Sequence, residues 1–160
     1  PKMGNVTDFE LENQSGAMIK LANMKDKVWV VDFIFTSCAG ICPTMSRNMS
    51  VLQKQFFDVA DVHFVSITVD PERDTPEVLE GYAAKYDANL EQWNFLTGTE
   101  EDINKLSTEG FFIGSGDEMV NHSDKFVLVD REGSLRGFYT GTESEEVTRL
   151  AEDIQILLDE

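Results

Sequence analysis

The sequence contains few cysteines, few prolines and few basic residues. Its 2 cysteines exclude a disulfide scaffold, and its 4 prolines and 11 glycines exclude a collagen-like chain. No stretch approaches the roughly 20 consecutive apolar residues that a membrane-spanning helix requires. The 13 lysines and arginines stand against 30 acidic residues, which gives a formal net charge of −17. This charge argues against nucleic-acid binding, which depends on basic side chains that neutralise phosphates.

The chain nevertheless has enough apolar residues to form a core. It has 160 residues, of which 41% are hydrophobic and 11 are phenylalanine, so it is not disordered as a whole. No repeat, low-complexity tract or flexible linker divides it, and residues 1–160 are predicted to form a single domain. The acidity fits either a solvated surface that keeps the protein soluble or a docking face for a basic partner. The composition is consistent with both interpretations.

The order of strand and helix patterns predicts an α/β fold. A turn-rich tetrapeptide between residues 9–11 and 18–21 predicts an amino-terminal β-hairpin. Strand patterns and amphipathic helix patterns then alternate, and the chain closes with two adjacent strands and a helix. This order is typical of a thioredoxin-like fold, a central mixed β-sheet flanked by helices. The predicted strands are 28–35, 62–69, 93–97, 125–130 and 135–139, and the predicted helices follow Pro43, Thr75 and Thr99 and span about 143–158. Thr75 is the predicted cap of the second helix, in which Val78, Leu79, Tyr82 and Ala83 form the predicted buried stripe.

Both cysteines lie in one loop after the first central strand, where the chemistry of such sheets gathers. Cys38 and Cys42 bracket three residues directly before a predicted helix. The amino end of a helix carries unpaired N–H groups and a partial positive charge, which favour the thiolate form of cysteine. Residues four apart share a helix face, so both sulfur atoms can converge on one point. Such a pair suits Cu(I), zinc or reversible disulfide formation, and the plain alternative is two buried, inert thiols.

His122 is the candidate third ligand. A histidine in a loop is commonly a surface or capping residue, but in this fold the loop before the strand at Lys125 lies against the start of the first helix. Two thiolates and one imidazole form a three-coordinate site that can hold copper in either oxidation state. His63 lies within an apolar strand pattern, and we predict that it is structural.

Other side chains near the cysteines have two interpretations each. Asp70 follows the strand that ends beside the cysteine loop, so it can either orient His122 or serve as a turn residue. Met45 and Met49 carry thioethers that can bind Cu(I), but their spacing fits the buried stripe of the helix, and we predict core packing. Met119 is a weaker thioether candidate.

Four segments together resemble the Sco/SenC family in order and spacing, over nearly the whole chain. They are Phe33-Ile34-Phe35-Thr36-Ser37-Cys38, Cys42-Pro43-Thr44-Met45, Val69-Asp70-Pro71-Glu72-Arg73-Asp74-Thr75-Pro76 and His122-Ser123. The resemblance implies a membrane-anchored, thioredoxin-fold copper protein that works outside the cytoplasm, in the bacterial periplasm or the mitochondrial intermembrane space. The implied ligands of Cu(I) or Cu(II) are Cys38, Cys42 and His122, with Asp70 as a nearby supporting acid.

The resemblance also implies a role and partners. The family helps to load the binuclear CuA centre of cytochrome c oxidase, by delivering copper, by reducing the cysteines of that centre, or both. The implied partners are the copper-bearing oxidase subunit or another copper-acceptor protein, and other copper chaperones. We therefore expect a metallochaperone rather than an enzyme, with Cys38 and Cys42 as a redox-active pair if it acts as a reductase. Since the family usually carries an amino-terminal membrane anchor, we expect this chain to be the soluble part of a longer protein.

The sequence departs from the family pattern at two places. Between the cysteines the family often has a proline and an acidic residue, whereas this chain has Ala39-Gly40-Ile41. We expect a more flexible and less charged loop, which affects partner recognition more than ligation. Before the histidine the family commonly has an aromatic residue and an aspartate, whereas this chain has Met119-Val120-Asn121, so the usual acid is either missing or replaced by Asn121.

Three other functions use the same residues. A thiol–disulfide oxidoreductase also has paired cysteines at a helix start, but such enzymes have a two-residue spacer and a proline near the position that His122 occupies here. A peroxidase is the second alternative, because Thr36 lies two residues before Cys38, as in peroxiredoxins. This chain lacks the proline that precedes that threonine in peroxiredoxins. A redox or copper sensor is the third alternative. A redox sensor would use the two cysteines but not His122.

Overall fold

A computed structural model describes residues 4–36, 42–111 and 124–160 of the chain. The strands are β1 (Glu10–Glu12), β2 (Met18–Lys20), β3 (Val28–Ile34), β4 (Val62–Thr68), β5 (Trp93–Leu96), β6 (Lys125–Val129) and β7 (Leu135–Thr140). The α-helices are α1 (Cys42–Gln55), α2 (Pro76–Lys85), α3 (Glu100–Lys105) and α4 (Ser144–Leu158). A short 3-10 helix covers Leu21–Met24, and a π-helical turn covers Leu106–Gly110.

Five strands form the central sheet, in the order β5-β4-β3-β6-β7. The strands β3, β4 and β5 are parallel, and β6 and β7 run antiparallel to their neighbours. Ile34 pairs with Thr68, so β3 and β4 end at the same edge of the sheet, which we call the carboxyl edge. Val129 at the end of β6 pairs with Trp29, so the turn after β6 lies at the opposite, amino edge. The strands β1 and β2 form a separate antiparallel hairpin.

Side-chain alternation along β3 divides the core into two layers. Val28 and Ile34 belong to the layer that α1, α2 and α4 cover, whereas Trp29 and Phe33 belong to the layer under the hairpin and α3. All residues of β3 are buried, as expected for a strand covered on both faces. Within the described ranges, no helix has the length and apolar character needed to cross a membrane.

The predicted thioredoxin-like fold is confirmed, since the mixed sheet, the flanking helices and the amino-terminal hairpin are all present. The predicted cap of α2 is also confirmed, because the Thr75 hydroxyl accepts a hydrogen bond from the Val78 N–H. The prediction that Val78 belongs to the buried stripe is wrong, since its side chain is 42% exposed. Val78 lies about 100° around the helix from Leu79, outside the face that Leu79 and Tyr82 bury.

Candidate metal centre

Cys42 is the first residue of α1, at the carboxyl edge of the sheet. Its side chain is only 3% exposed and belongs to the core layer beneath α1. Met45 and Met49 are fully buried in the same layer, so the core packing predicted for both methionines is confirmed. The Ser46 hydroxyl lies 2.7 Å from the Tyr82 hydroxyl on α2, which ties the first turn of α1 to its neighbour. Cys42 is therefore held by a rigid, well-packed element.

The other two predicted ligands, Cys38 and His122, lie outside the described residues, as do Met119 and Asn121. In the part of the chain that the structure describes, no group of three His, Cys, Asp or Glu side chains is arranged to hold a metal ion. The three-ligand site therefore stays a prediction, and Cys42 is the one predicted ligand that lies within the described residues.

Asp70 follows β4 at the carboxyl edge and forms a turn. Its backbone N–H donates to the Thr68 hydroxyl at 3.0 Å, and its carbonyl accepts from the N–H groups of Arg73 and Asp74. Its half-buried carboxylate lies 3.8 Å from the exposed Arg73 guanidinium. The turn role is thus observed, and the predicted support of His122 stays a prediction.

The buried acid at this edge is Asp74, which is only 1% exposed. Its Oδ2 accepts from the Thr36 backbone N–H at 2.9 Å and from the Thr68 hydroxyl at 2.7 Å. Its Oδ1 accepts a short hydrogen bond from the Thr36 hydroxyl. Asp74 therefore joins the chain after β3 to the end of β4, and Thr36 lies two residues before Cys38.

Asp74 lies within the segment 69–76, but it had no predicted role. The available signal was the pair of threonines, Thr36 and Thr68, at the ends of two buried strands. A hydroxyl group at a buried position requires a hydrogen-bond partner, and an acid shortly after the second strand can supply the acceptor.

A second buried carboxyl group, that of Asp32, lies in the middle of β3 and is 0% exposed. By alternation it faces the layer that α1 covers. The Ser66 hydroxyl donates to its Oδ1 at 2.5 Å, and the Trp93 indole N–H donates to the Ser66 oxygen at 3.0 Å. Among the described residues its Oδ2 has no hydrogen-bond partner. Burial raises the pKa of Asp32 to about 7, against the opposing effect of the Ser66 hydrogen bond.

His63 lies near the start of β4, where it pairs with Trp29, away from the carboxyl edge. Its Nε2 lies 3.1 Å from the carbonyl oxygen of Ala60. Burial lowers the pKa of His63, since it disfavours the charged imidazolium. This placement agrees with the structural role predicted for it.

Comparison with known proteins gives one consistent family. The sequence model of the SCO1/SenC family matches residues 2–159. The chain is 35% identical over 156 residues to the SCO1 protein homolog of Bacillus subtilis (strain 168), which covers 94% of this chain and 81% of that protein.

Two solved structures extend the comparison to the fold. The first is BsSco, described as a member of the Sco family of cytochrome c oxidase assembly proteins with a disulfide switch. It matches with a TM-score of 0.86 and 34% identity, over 98% of this chain and 95% of that one. The second is copper-bound ScoI of Bradyrhizobium japonicum, with a TM-score of 0.77 and 25% identity, over 96% of this chain and 99% of that one.

Proposed function

Because the chain belongs to the SCO1/SenC family, we propose that it is a copper chaperone that binds Cu(I) or Cu(II) through Cys38, Cys42 and His122. The copper-bound ScoI relative supports a copper-binding Sco-family role. The observation that carries the proposal is the place of Cys42, a buried thiol at the first residue of α1, four positions after the chain's other cysteine.

The donor set fits copper. Thiolates prefer Cu(I), and an imidazole added to them also allows Cu(II). Cys42 lies at the amino end of α1, where the helix dipole generally favours a thiolate, and the packing of α1 fixes where its side chain lies. In this proposal His122 completes the site, and Asp70 supports it from the same edge of the sheet.

We also propose the recipient and the compartment. The family of BsSco is described as assembling cytochrome c oxidase, which supports delivery of copper to the CuA centre of that oxidase or to another copper-acceptor protein. Such a chain would work outside the cytoplasm, attached to the membrane. The net charge of −17 favours a partner whose contact face is basic.

Reduction of the acceptor's cysteines is the second candidate function, and the disulfide switch described for BsSco favours it. In this reaction a thiolate of the pair attacks the acceptor's disulfide, and the second thiol resolves the mixed disulfide. Cys38 and Cys42 lose two electrons and two protons as their disulfide forms, and the acceptor's cysteines gain them.

Copper binding by single-site variants tests the proposal. The reduced protein is loaded with Cu(I) and, separately, with Cu(II), and the stoichiometry is compared with Cys38→Ala, Cys42→Ala and His122→Ala. We expect one copper per wild-type chain, loss of tight binding in both cysteine variants, and a selective loss of Cu(II) in His122→Ala. His63→Ala is the matched control, since it removes an imidazole at the far end of β4.

Two results would contradict the proposal. One-to-one binding that survives His122→Ala in both oxidation states would exclude the three-ligand site. Failure of the wild-type protein to bind copper, together with turnover of a disulfide substrate, would establish the thiol reductase instead.

A further inference from the structure

We propose that Asp74 is a positioning residue for the cysteine pair: it anchors the chain that enters the cysteine loop and thereby sets the redox potential and the copper affinity of Cys38 and Cys42. This inference rests on the proposed function, in which the two cysteines act together.

Asp74 holds Thr36 by two hydrogen bonds. The backbone N–H of Thr36 donates to Oδ2 at 2.9 Å, and its hydroxyl donates to Oδ1. Because both donors belong to one residue, the carboxylate fixes the backbone and the side chain of Thr36 together. A third donor, the Thr68 hydroxyl at 2.7 Å, ties the same carboxylate to the end of β4. Thr36 is thus held against the neighbouring strand at the point where the chain leaves β3.

The far end of the same loop is also fixed. Cys42 is 3% exposed and begins α1, whose first turn is held by the fully buried Met45 and by the contact between Ser46 and Tyr82. Residues 37–41 therefore connect two fixed points. Bringing two sulfur atoms together costs conformational entropy, and fixing the ends of the connecting segment reduces that cost for a disulfide and for a shared metal ion alike.

The anchor uses both oxygens of one carboxylate as acceptors. Asp74 faces three donors and accepts from all of them, as an ionised carboxylate can. An asparagine has the same shape but only one acceptor oxygen, and its NH2 group would face one of the donors. Because the Thr36 hydroxyl can rotate and accept from that NH2 group, Asp74→Asn weakens the anchor rather than removing it, and it does so with the smallest change of volume.

The amino edge provides a matched control. Asp130 is 6% exposed, and it accepts from the N–H groups of Glu132 and Ser134 at 2.9 Å and from the Arg136 guanidinium at 3.1 Å. It is a buried, multiply bonded aspartate like Asp74, but it lies at the opposite edge of the sheet. Asp130→Asn should therefore lower stability without affecting the cysteines.

The test measures the cysteine couple without copper. Wild type, Asp74→Asn and Asp130→Asn are equilibrated with oxidised and reduced dithiothreitol, which takes up the two electrons and two protons released as the protein disulfide forms. In Asp74→Asn we expect the equilibrium constant for disulfide formation to fall about tenfold, which raises the midpoint potential by about 30 mV. Competition with a chromophoric Cu(I) chelator should show about tenfold weaker copper retention. Asp130→Asn should match wild type in both measurements.

The inference would be overturned if Asp74→Asn had the same redox potential and the same Cu(I) affinity as Asp130→Asn. That result would leave the proposed function intact. A wild-type protein that binds no copper would contradict the proposed function, while the dithiothreitol equilibrium would still test Asp74. Thr36→Val, which removes one donor and keeps the backbone N–H, covers the case in which Asp74→Asn fails to fold. In Thr36→Val we expect the equilibrium constant for disulfide formation to fall about threefold. An unchanged redox potential in this variant would contradict the proposed role of Asp74.

Discussion

The two edges of the central sheet each contain a buried aspartate, and the two side chains are used differently. Asp130 at the amino edge bonds groups that lie two to six residues away, in the turn between β6 and β7 and near the start of β7. Asp74 at the carboxyl edge bonds Thr36, which lies 38 residues away in the sequence. One aspartate closes a local turn, and the other joins two segments that are distant in sequence.

The partners differ in charge as well as in distance. Asp130 contacts a guanidinium, and the same Arg136 also binds Glu160 at 2.8 Å, so the amino edge is closed by an ion-pair network. The described partners of Asp74 are hydroxyl groups and a backbone amide. The contacts of Asp130 thus stabilise the amino edge locally. The hydrogen bonds of Asp74 at the carboxyl edge instead fix Thr36, which leads into the segment with the cysteines.

Replacing each aspartate by alanine should show which edge depends more on its acid. Asp74→Ala leaves a fully buried Thr68 hydroxyl and the Thr36 donors without their acceptor, and we expect a loss of roughly 3–5 kcal/mol in the free energy of unfolding. Asp130→Ala should cost roughly 2–3 kcal/mol, because Glu132 beside it is exposed and water can replace part of the lost bonding. Urea denaturation of both variants at neutral pH measures the difference.

An equal loss in the two variants would contradict the difference between the edges. Ser50→Ala is a suitable control, since it removes one buried hydrogen bond, to the Tyr86 carbonyl, away from both aspartates. Its expected cost is about 1 kcal/mol.

The parts of the fold that depend on local sequence could be predicted. The buried run of β3, the stripe of α1 and the threonine caps of α2 and α3 each follow from residues close together in the chain. Cys42 at the start of α1 belongs to the same class, because the cysteines directly precede an amphipathic pattern.

The buried polar contacts could not be predicted, because they depend on which strands become neighbours. Thr36 and Asp74 meet only because β3 and β4 are adjacent and in register, which no local pattern states. Asp32 is visible in the sequence as a charge inside an apolar run, but the side chain that donates to it, Ser66, comes from the neighbouring strand. Sequence patterns therefore indicate that a buried acid needs a partner without identifying the partner.

A third buried aspartate, Asp32, lies between the two edges, and among the described side chains Ser66 donates to its carboxyl group. Its pKa is raised from 3.8 to about 7, so the folded protein holds a proton that the unfolded chain releases. The contribution of Asp32 to stability is therefore present at low pH and is lost as the pH rises from 3.8 through about 7. Asp32→Asn carries no such proton, and at pH 8 we expect it to be more stable than wild type by roughly 2–4 kcal/mol.

Chemical denaturation at a series of pH values measures this effect. The two proteins should converge in stability toward pH 4, and a constant difference across the whole range would contradict the assignment. Ser66→Ala should extend the loss of stability to higher pH, because the Ser66 hydrogen bond lowers the pKa of Asp32.

The smallest expected effects come from exposed hydrogen bonds at the carboxyl edge itself. The hydroxyl groups of Thr75 and Thr99 accept from backbone N–H groups at the starts of α2 and α3. Thr75→Ala and Thr99→Ala should each lower the free energy of unfolding by about 1 kcal/mol, the usual value of a helix cap. Glu143→Ala is the control, since that residue precedes α4 without a capping hydrogen bond from its side chain and should change little. Neither threonine variant should shift the cysteine potential, because neither hydroxyl contacts Thr36; a shift as large as that of Asp74→Asn would mean that any loosening of this edge reaches the cysteines.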